Sequence, residues 1–333
     1  MLLQVISGLL CQAGFLREPP LFRGINKPGV FGGNRLYRGI NARYDSCEPA
    51  VKGSKLCCVG ATDDFDDVRR DPDPVRRGRR ATELLAVYQQ RAAELARLRR
   101  VAVEDAHREL GMSYTQIAAA MGLTKGRVSQ IRGTAPPPER AFFGTGPVSV
   151  GVPLRHGTAG RQRPLVAAED MRAGEEAARL LEGYGLAVTR YQIGPGTASA
   201  PPGDAVVICG PKTAPVGAAL LARDSALDMR EDGGRWWIVQ RATGQRLGSP
   251  TDEADQEPAD LAYVGRHQPD EHVTVHIAGI HAIGSLGAVH YLAGHLAELF
   301  AGGGDASLSL VTRASYDGLE ITGSSLAAGP FTW

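Results

Sequence analysis

Residues 113–132 read Ser-Tyr-Thr-Gln-Ile-Ala-Ala-Ala-Met-Gly-Leu-Thr-Lys-Gly-Arg-Val-Ser-Gln-Ile-Arg. The second half of this stretch concentrates donors: Lys125, Arg127, Ser129, Gln130 and Arg132. Arginine can pair through two N–H groups with the edge of guanine, and glutamine with that of adenine. Thr124 and Lys125 fall where a helix would begin, and unpaired backbone N–H groups beside a cation suit a phosphate. Upstream, Arg76, Arg77, Arg79 and Arg80 form a basic run able to meet a phosphate backbone. Together these residues are the candidate contacts to double-stranded DNA. For any single arginine the alternative is a solvated surface charge.

A second set lies in the C-terminal half. The apolar run Asp204–Cys209 ends in Gly210-Pro211-Lys212, and His272–Gly279 leads into Ile280-His281-Ala282-Ile283-Gly284-Ser285-Leu286-Gly287. Glycine-rich turns between a strand and a helix let backbone amides approach an anion. Gly210, Lys212, Gly279, His281, Gly284 and Ser285 are therefore candidate contacts for a small anionic ligand. The competing expectation is close packing of helix on strand. There is no Walker lysine with its Ser/Thr neighbour and no GxGxxG, so no particular nucleotide cofactor is implied.

Other chemistry is poorly supported. No Ser/His/Asp order or carboxylate pair stands out, so no catalytic residue is assigned. His276, His281, His290 and His295 have no spacing that brings them onto one ion, and no metal site is expected. Cys209, at the end of an apolar run, reads as a packed thiol more readily than a nucleophile. Four of the five cysteines (Cys11, Cys47, Cys57 and Cys58) precede residue 60 and match no zinc pattern.

The elements that must hold the first set are legible. Over Ala81–Leu110, Leu84, Leu85, Tyr88, Ala92, Leu95, Leu98, Val101, Val103 and Ala106 recur at three- and four-residue spacing. Arg91, Arg97, Arg99 and Arg100 fall mostly on the other side, which predicts a long helix with an apolar face, ended at Gly111. Ser113 with Gln116 has the form of a capping box for a short helix through Met121. Gly122 permits the positive φ of a tight turn. Thr124 caps a second helix to about Arg132, and Ile117, Ala118, Leu123, Val128 and Ile131 supply a small core. This is the pattern of a helix-turn-helix whose second helix lies in the major groove.

Ser113–Arg132 resembles region 4 of the sigma-70 family and related sigma-like regulators, through the form YxxIAxxxGLTxGRVSQI. With the preceding helix the resemblance covers about a sixth of the chain. It implies DNA binding, with RNA polymerase as a further partner. A sigma factor also carries a region for the −10 element and core polymerase, and residues 1–68 lack its aromatics and helical period. Three functions remain open: a transcriptional regulator with a C-terminal sensor, a sigma-like factor, and a nucleotide-responsive enzyme or effector tethered by its helix-turn-helix. A helical pair used for protein contact is the structural alternative. Regulators of this type are often symmetric dimers, and the long helix is the candidate for self-association.

Charge divides the chain of 333 residues. Residues 69–140 hold 15 basic and 8 acidic side chains, whereas residues 164–333 hold 11 basic and 21 acidic. One part thus suits a polyanion and the other does not. The excess of 32 Arg over 5 Lys is the bias of a GC-rich genome. No apolar run reaches the roughly 18–20 residues of a membrane span. The apolar Met1–Phe15 contains no positive n-region, so a signal peptide is not expected and the cytoplasm is.

The expected organisation has four parts. Residues 1–76 are a disordered leader and linker, 77–134 an all-α helix-turn-helix domain, 135–163 an extended linker with one short strand at Val148–Val152, and 164–333 a sensor or effector domain. Strand and helix alternate in the last part, with a hairpin around Gly233-Gly234. That alternation predicts a three-layer α/β fold with a mostly parallel sheet.

Overall fold

The computed structural model describes residues 61–156, 164–268, 271–301 and 306–333. The leader, its four cysteines and the apolar start lie outside the described residues. The chain is mixed α/β. Among the described residues no helix is long and apolar enough to cross a membrane.

Four helices come first: α1 (Ala61–Arg70), α2 (Pro74–Arg108), α3 (Tyr114–Ala120) and α4 (Lys125–Thr134). The charged, proline-containing run expected to be a linker is thus a helix followed by a helix start. Asp73 accepts from the backbone N–H of Val75 and Arg76, and Pro74 opens α2 where no N–H is needed. Buried Asp71 fixes the corner by pairing with Arg76 at 2.7 Å and Arg80 at 3.4 Å.

Val103 of the expected apolar face of α2 is buried, but along the preceding turns the side that faces the protein is not the expected one. Leu85, Leu95 and Leu98 are exposed, while Gln90 and Arg97 are buried. The cause is Arg140, in the 3₁₀ turn Pro138–Phe143, which is fully buried. A buried guanidinium must be paired. Arg140 donates to Gln90 Oε1 at 2.6 Å and to Glu94 Oε2 at 3.3 Å, and Glu94 also holds Arg97 at 2.7 Å. That polar row turns the helix.

The second half is built on strands β1 (Val148–Pro153), β2 (Arg155–His156), β3 (Pro164–Leu165), β4 (Val188–Ile193), β5 (Asp204–Ile208), β6 (Leu227–Asp232), β7 (Arg235–Gln240), β8 (Arg246–Gly248), β9 (Ala259–His267), β10 (Thr274–Gly279), β11 (Leu308–Asp317) and β12 (Glu320–Thr332). Helices α5 (Ala168–Gly183), α6 (Pro215–Leu221) and α7 (Ala282–Ala301) connect them. Seven strands form one sheet in the order β12-β11-β9-β10-β5-β1-β4. Strands β10, β5, β1 and β4 pair in parallel, and β9, β11 and β12 add antiparallel ladders. The sheet is mostly parallel in that five of its seven strands run one way.

One face packs α5, α7 and Phe142-Phe143 against Val148, Val150, Val206, Ile208, Val264 and Ile277. The other is covered in two pieces: α6 over Val207 and Cys209, and the meander β6-β7-β8 over Leu261, Tyr263 and Val311. Three layers are therefore present, and the hairpin at Gly233-Gly234 belongs to a separate three-stranded sheet that shares the outer layer with α6.

The boundary expected at residue 164 is corrected by β1. This strand lies inside the presumed linker 135–163, yet it is central to the sheet, between β5 and β4. The short strand expected at Val148–Val152 is present, with Val148 and Val150 buried in the core, but it belongs to the sheet and not to a linker. Val59–Trp333 forms one compact unit. Arg266 of β9, fully buried, reaches the Ala141 and Phe142 carbonyls and fastens the 3₁₀ turn to the sheet.

Candidate functional site

Helices α3 and α4 meet across a tight turn whose geometry follows from three residues. Ser113 Oγ accepts the Gln116 N–H while Gln116 Oε1 accepts the Ser113 N–H at 2.8 Å, a complete capping box. Gly122 sits at φ +64°, where a side chain would be strained. Thr124 Oγ1 accepts the Arg127 N–H at 3.2 Å and starts α4. Val103 of α2, Ile117 and Ala118 of α3 and Val128 of α4 make the core between them, with Leu123 beside it.

The outer face of α4 carries Lys125, Gly126, Ser129 and Gln130, all exposed. Arg127 is half-buried and donates to Gln130 Oε1 at 2.6 Å, which aligns the two side chains as one donor surface. The other candidates stand elsewhere. Arg132 donates to Glu104 Oε1 at 3.1 Å and stacks 4.2 Å from the centre of the Tyr114 ring, so it ties α4 to α2 and α3. Arg76 and Arg80 are held by Asp71, and Arg77 donates to the Asp71 carbonyl. Arg79 points to solvent.

The glycine-rich turn after β10 is closed by the protein itself. Asp260 of β9, buried, accepts the backbone N–H of His281 at 2.9 Å and of Gly284 at 3.0 Å. Ser285 Oγ accepts the Gly279 N–H at 3.0 Å. The amides expected to face an anion already have acceptors, so Gly279, Gly284 and Ser285 do not form an open cradle. A Cβ on Gly284 would stand 2.4 Å from Asp260 Oδ2 and 2.7 Å from the Leu261 carbonyl. Close packing, the competing expectation, accounts for this glycine. Gly284→Ala should therefore cost roughly 3 kcal/mol in urea denaturation, whereas Gly183→Ala, at a helix end with open space, should stay within about 0.5 kcal/mol. Equal effects would sink this account.

His281 is drawn away from a ligand role in another way, its Nε2 lying 3.0 Å from Asp252 Oδ1. The remaining histidines are dispersed. His276 pairs with the Cys209 carbonyl, His290 with Ser324 and His295 with the Tyr291 carbonyl. Among the described residues no three His, Cys, Asp or Glu side chains converge as metal ligands. Burial pushes the Cys209 thiol up to about 11, the wrong direction for a thiolate nucleophile at neutral pH.

Lys212 and Gly210 lie after β5. Lys212 donates to the Ile280 carbonyl. The residue is exposed at its surface, yet its ammonium is packed closely enough that desolvation lowers its pKa, with the Arg155 charge as the next cause. Arg155, just after β1, was hidden by the linker reading. The signal that could have found it is a basic residue directly following an apolar run. It donates to Oδ2 of buried Asp170 at 2.9 Å. Burial raises the Asp170 pKa and Arg155 opposes that shift.

Compared with protein-family models, curated proteins and solved structures, the chain matches none of them.

Proposed function

We propose that the chain is a DNA-binding transcriptional regulator, with α3 and α4 as its helix-turn-helix and the α/β part as a ligand sensor. The observation that carries this reading is the two-sidedness of α4. Val128 and Ile131 are buried, while Lys125, Gly126, Ser129 and Gln130 form an uncovered polar face on a short, well-capped helix. A helix of this kind can lie in the major groove with its side chains on base edges and its capped start near a phosphate. Such a regulator acts in the cytoplasm. A second copy of the chain, meeting this one along exposed Leu85, Leu95 and Leu98 of α2, would suit a two-fold operator.

The path from sensor to DNA runs through buried charge. Arg266 holds the 3₁₀ turn to the sheet, and Arg140 in that turn holds α2. A movement at the sheet would thus be passed to the helix that carries α3 and α4.

Selection of bound fragments from random duplex DNA by the full chain tests the reading. One short motif should be enriched, and Lys125→Ala/Gln130→Ala should bind it at least about 10-fold more weakly while remaining folded. Arg127→Ala should relax specificity. If Arg127 contacts a phosphate instead, affinity falls on all sequences alike and the salt slope drops by about 0.9. No motif, or equal binding by the double variant, would reduce α3 and α4 to a protein-contact element.

A further inference from the structure

The parallel half of the sheet reverses its winding at β1. The chain leaves β1 for β4 on one side and returns to β5 on the other. Crossovers that part in this way leave a crevice at the strand ends, where open α/β sheets take their ligands. A cavity of about 360 Å³ opens there, lined by Leu154 and Arg155 after β1, Pro195 after β4, and Lys212 and Thr213 after β5. That volume lies within the range of small-molecule sites.

Its two cations have donors to offer. Arg155 gives one N–H of its terminal guanidinium to Asp170, and its side chain keeps 41% of its surface exposed, which leaves other terminal N–H groups accessible. Lys212 gives one N–H to the Ile280 carbonyl, and an ammonium has three. The acids near Lys212 are Asp260, Asp170 and Asp252. Each is engaged elsewhere: Asp260 at the start of α7, Asp170 on Arg155 and Asp252 on His281. The fold thus brings two positive groups to one cavity and leaves donors on both unmatched.

We propose that this cavity binds the phosphate group of a small phosphorylated molecule, held by Arg155 and Lys212 with the Thr213 hydroxyl as a third contact. The proposal rests on the sensor reading above; of the two turns expected to meet an anion it keeps Lys212 after β5, drops the turn after β10, and adds Arg155 and Thr213 in the crevice between β1 and β5. A phosphate presents several acceptor oxygens to a guanidinium and an ammonium at once.

Titration calorimetry on the full chain with inorganic phosphate and pyrophosphate tests it, with chloride and acetate at matched ionic strength as controls. Saturable binding of phosphate or pyrophosphate is expected, weakened at least 10-fold in Arg155→Met and in Lys212→Met. Thr213→Val, the mildest change, should weaken it several-fold with an unchanged circular dichroism spectrum, which keeps the test informative if a cation variant fails to fold. Binding by acetate as strong as by phosphate would make the site a carboxylate site and overturn the phosphate assignment. No saturable binding, or equal binding in all three variants, would overturn the site itself. DNA binding is measured on the same samples without phosphate. Its loss in the wild-type chain would sink the regulator reading alone, whereas intact DNA binding with no anion binding would sink this proposal alone.

Discussion

Acidification from pH 7 to pH 5 should cost this protein several kcal/mol of stability, through two buried histidines. His276 is fully enclosed, and its Nε2 donates to the Cys209 carbonyl at 2.8 Å. Its other ring nitrogen, Nδ1, has no partner. A proton there would place a charge and a donor where no acceptor waits. His267 is almost as buried, with Nε2 3.3 Å from the Tyr263 hydroxyl and its ring 6.2 Å from that of His276. Desolvation, opposed by the Cys209 carbonyl, lowers the His276 pKa from 6.5 to about 4. Desolvation and then the His276 charge lower that of His267 to about 3.

The sign follows directly. In the unfolded chain both rings take up protons below about 6.5, whereas in the folded chain they stay neutral until about 4 and about 3. The unfolded state therefore binds more protons between pH 6.5 and 4, and stability falls with pH by about 1.4 kcal/mol per unit for each histidine. It is fully present above 6.5. Two units of acidification remove an amount comparable to a sizeable share of the roughly 5–15 kcal/mol that holds a domain. Asp170 and Asp260, whose pKa values burial raises, act in the opposite sense. The informative comparison is therefore between chains: urea unfolding at pH 7, 6 and 5 for wild type and His276→Gln. The variant keeps an amide donor for the Cys209 carbonyl and should lose pH dependence worth about one proton. Parallel curves would show that His276 is not the titrating group.

The second large effect belongs to Arg266. Its guanidinium donates to the Phe142 carbonyl at 3.0 Å, the Ala141 carbonyl at 3.2 Å, the Ala306 carbonyl at 2.9 Å and Gln268 Oε1 at 2.6 Å. Arg266→Met fills a similar volume but strips the donor from several buried or half-buried acceptors together, at about 3–5 kcal/mol. Arg266→Lys should recover only part of this, because one ammonium cannot span acceptors arranged around a planar fork. Arg140→Met should be milder, since Glu94 keeps Arg97. Chemical denaturation ranks the three. A loss below about 1 kcal/mol for Arg266→Met would mean that water replaces the guanidinium, and the turn 138–143 would not be fastened as described.

These two side chains also mark the limit of what the sequence reveals. The helix pair 113–132 was legible because its determinants are local. A cap at Ser113, a turn at Gly122, a cap at Thr124 and anchors at Ile117 and Val128 all act within a turn or two of helix. The strand at 204–208 and the hairpin at Gly233-Gly234 were legible for the same reason, each carrying its own apolar run or turn residues. The candidate DNA face followed from helical period alone, although the period could not tell that Arg132 is held by Glu104 or that Asp71 holds Arg76 and Arg80.

What the tertiary structure decided are the partners of groups far apart in the chain. The glycines at 279–287 announced a close approach, but not that Asp260, more than twenty residues upstream, would fill the turn. The stripe on α2 looked like a buried face until Arg140, fifty residues beyond Gln90, drew the polar side inward. Strand β1 was legible as a short strand at Val148–Val152, but not its place between β5 and β4, so it was left in the linker and Arg155 was lost with it. Sequence encodes what a residue does to its own helix or turn. Sheet order and register decide which distant carbonyl or carboxylate meets a buried charge, and those depend on pairings no local period records.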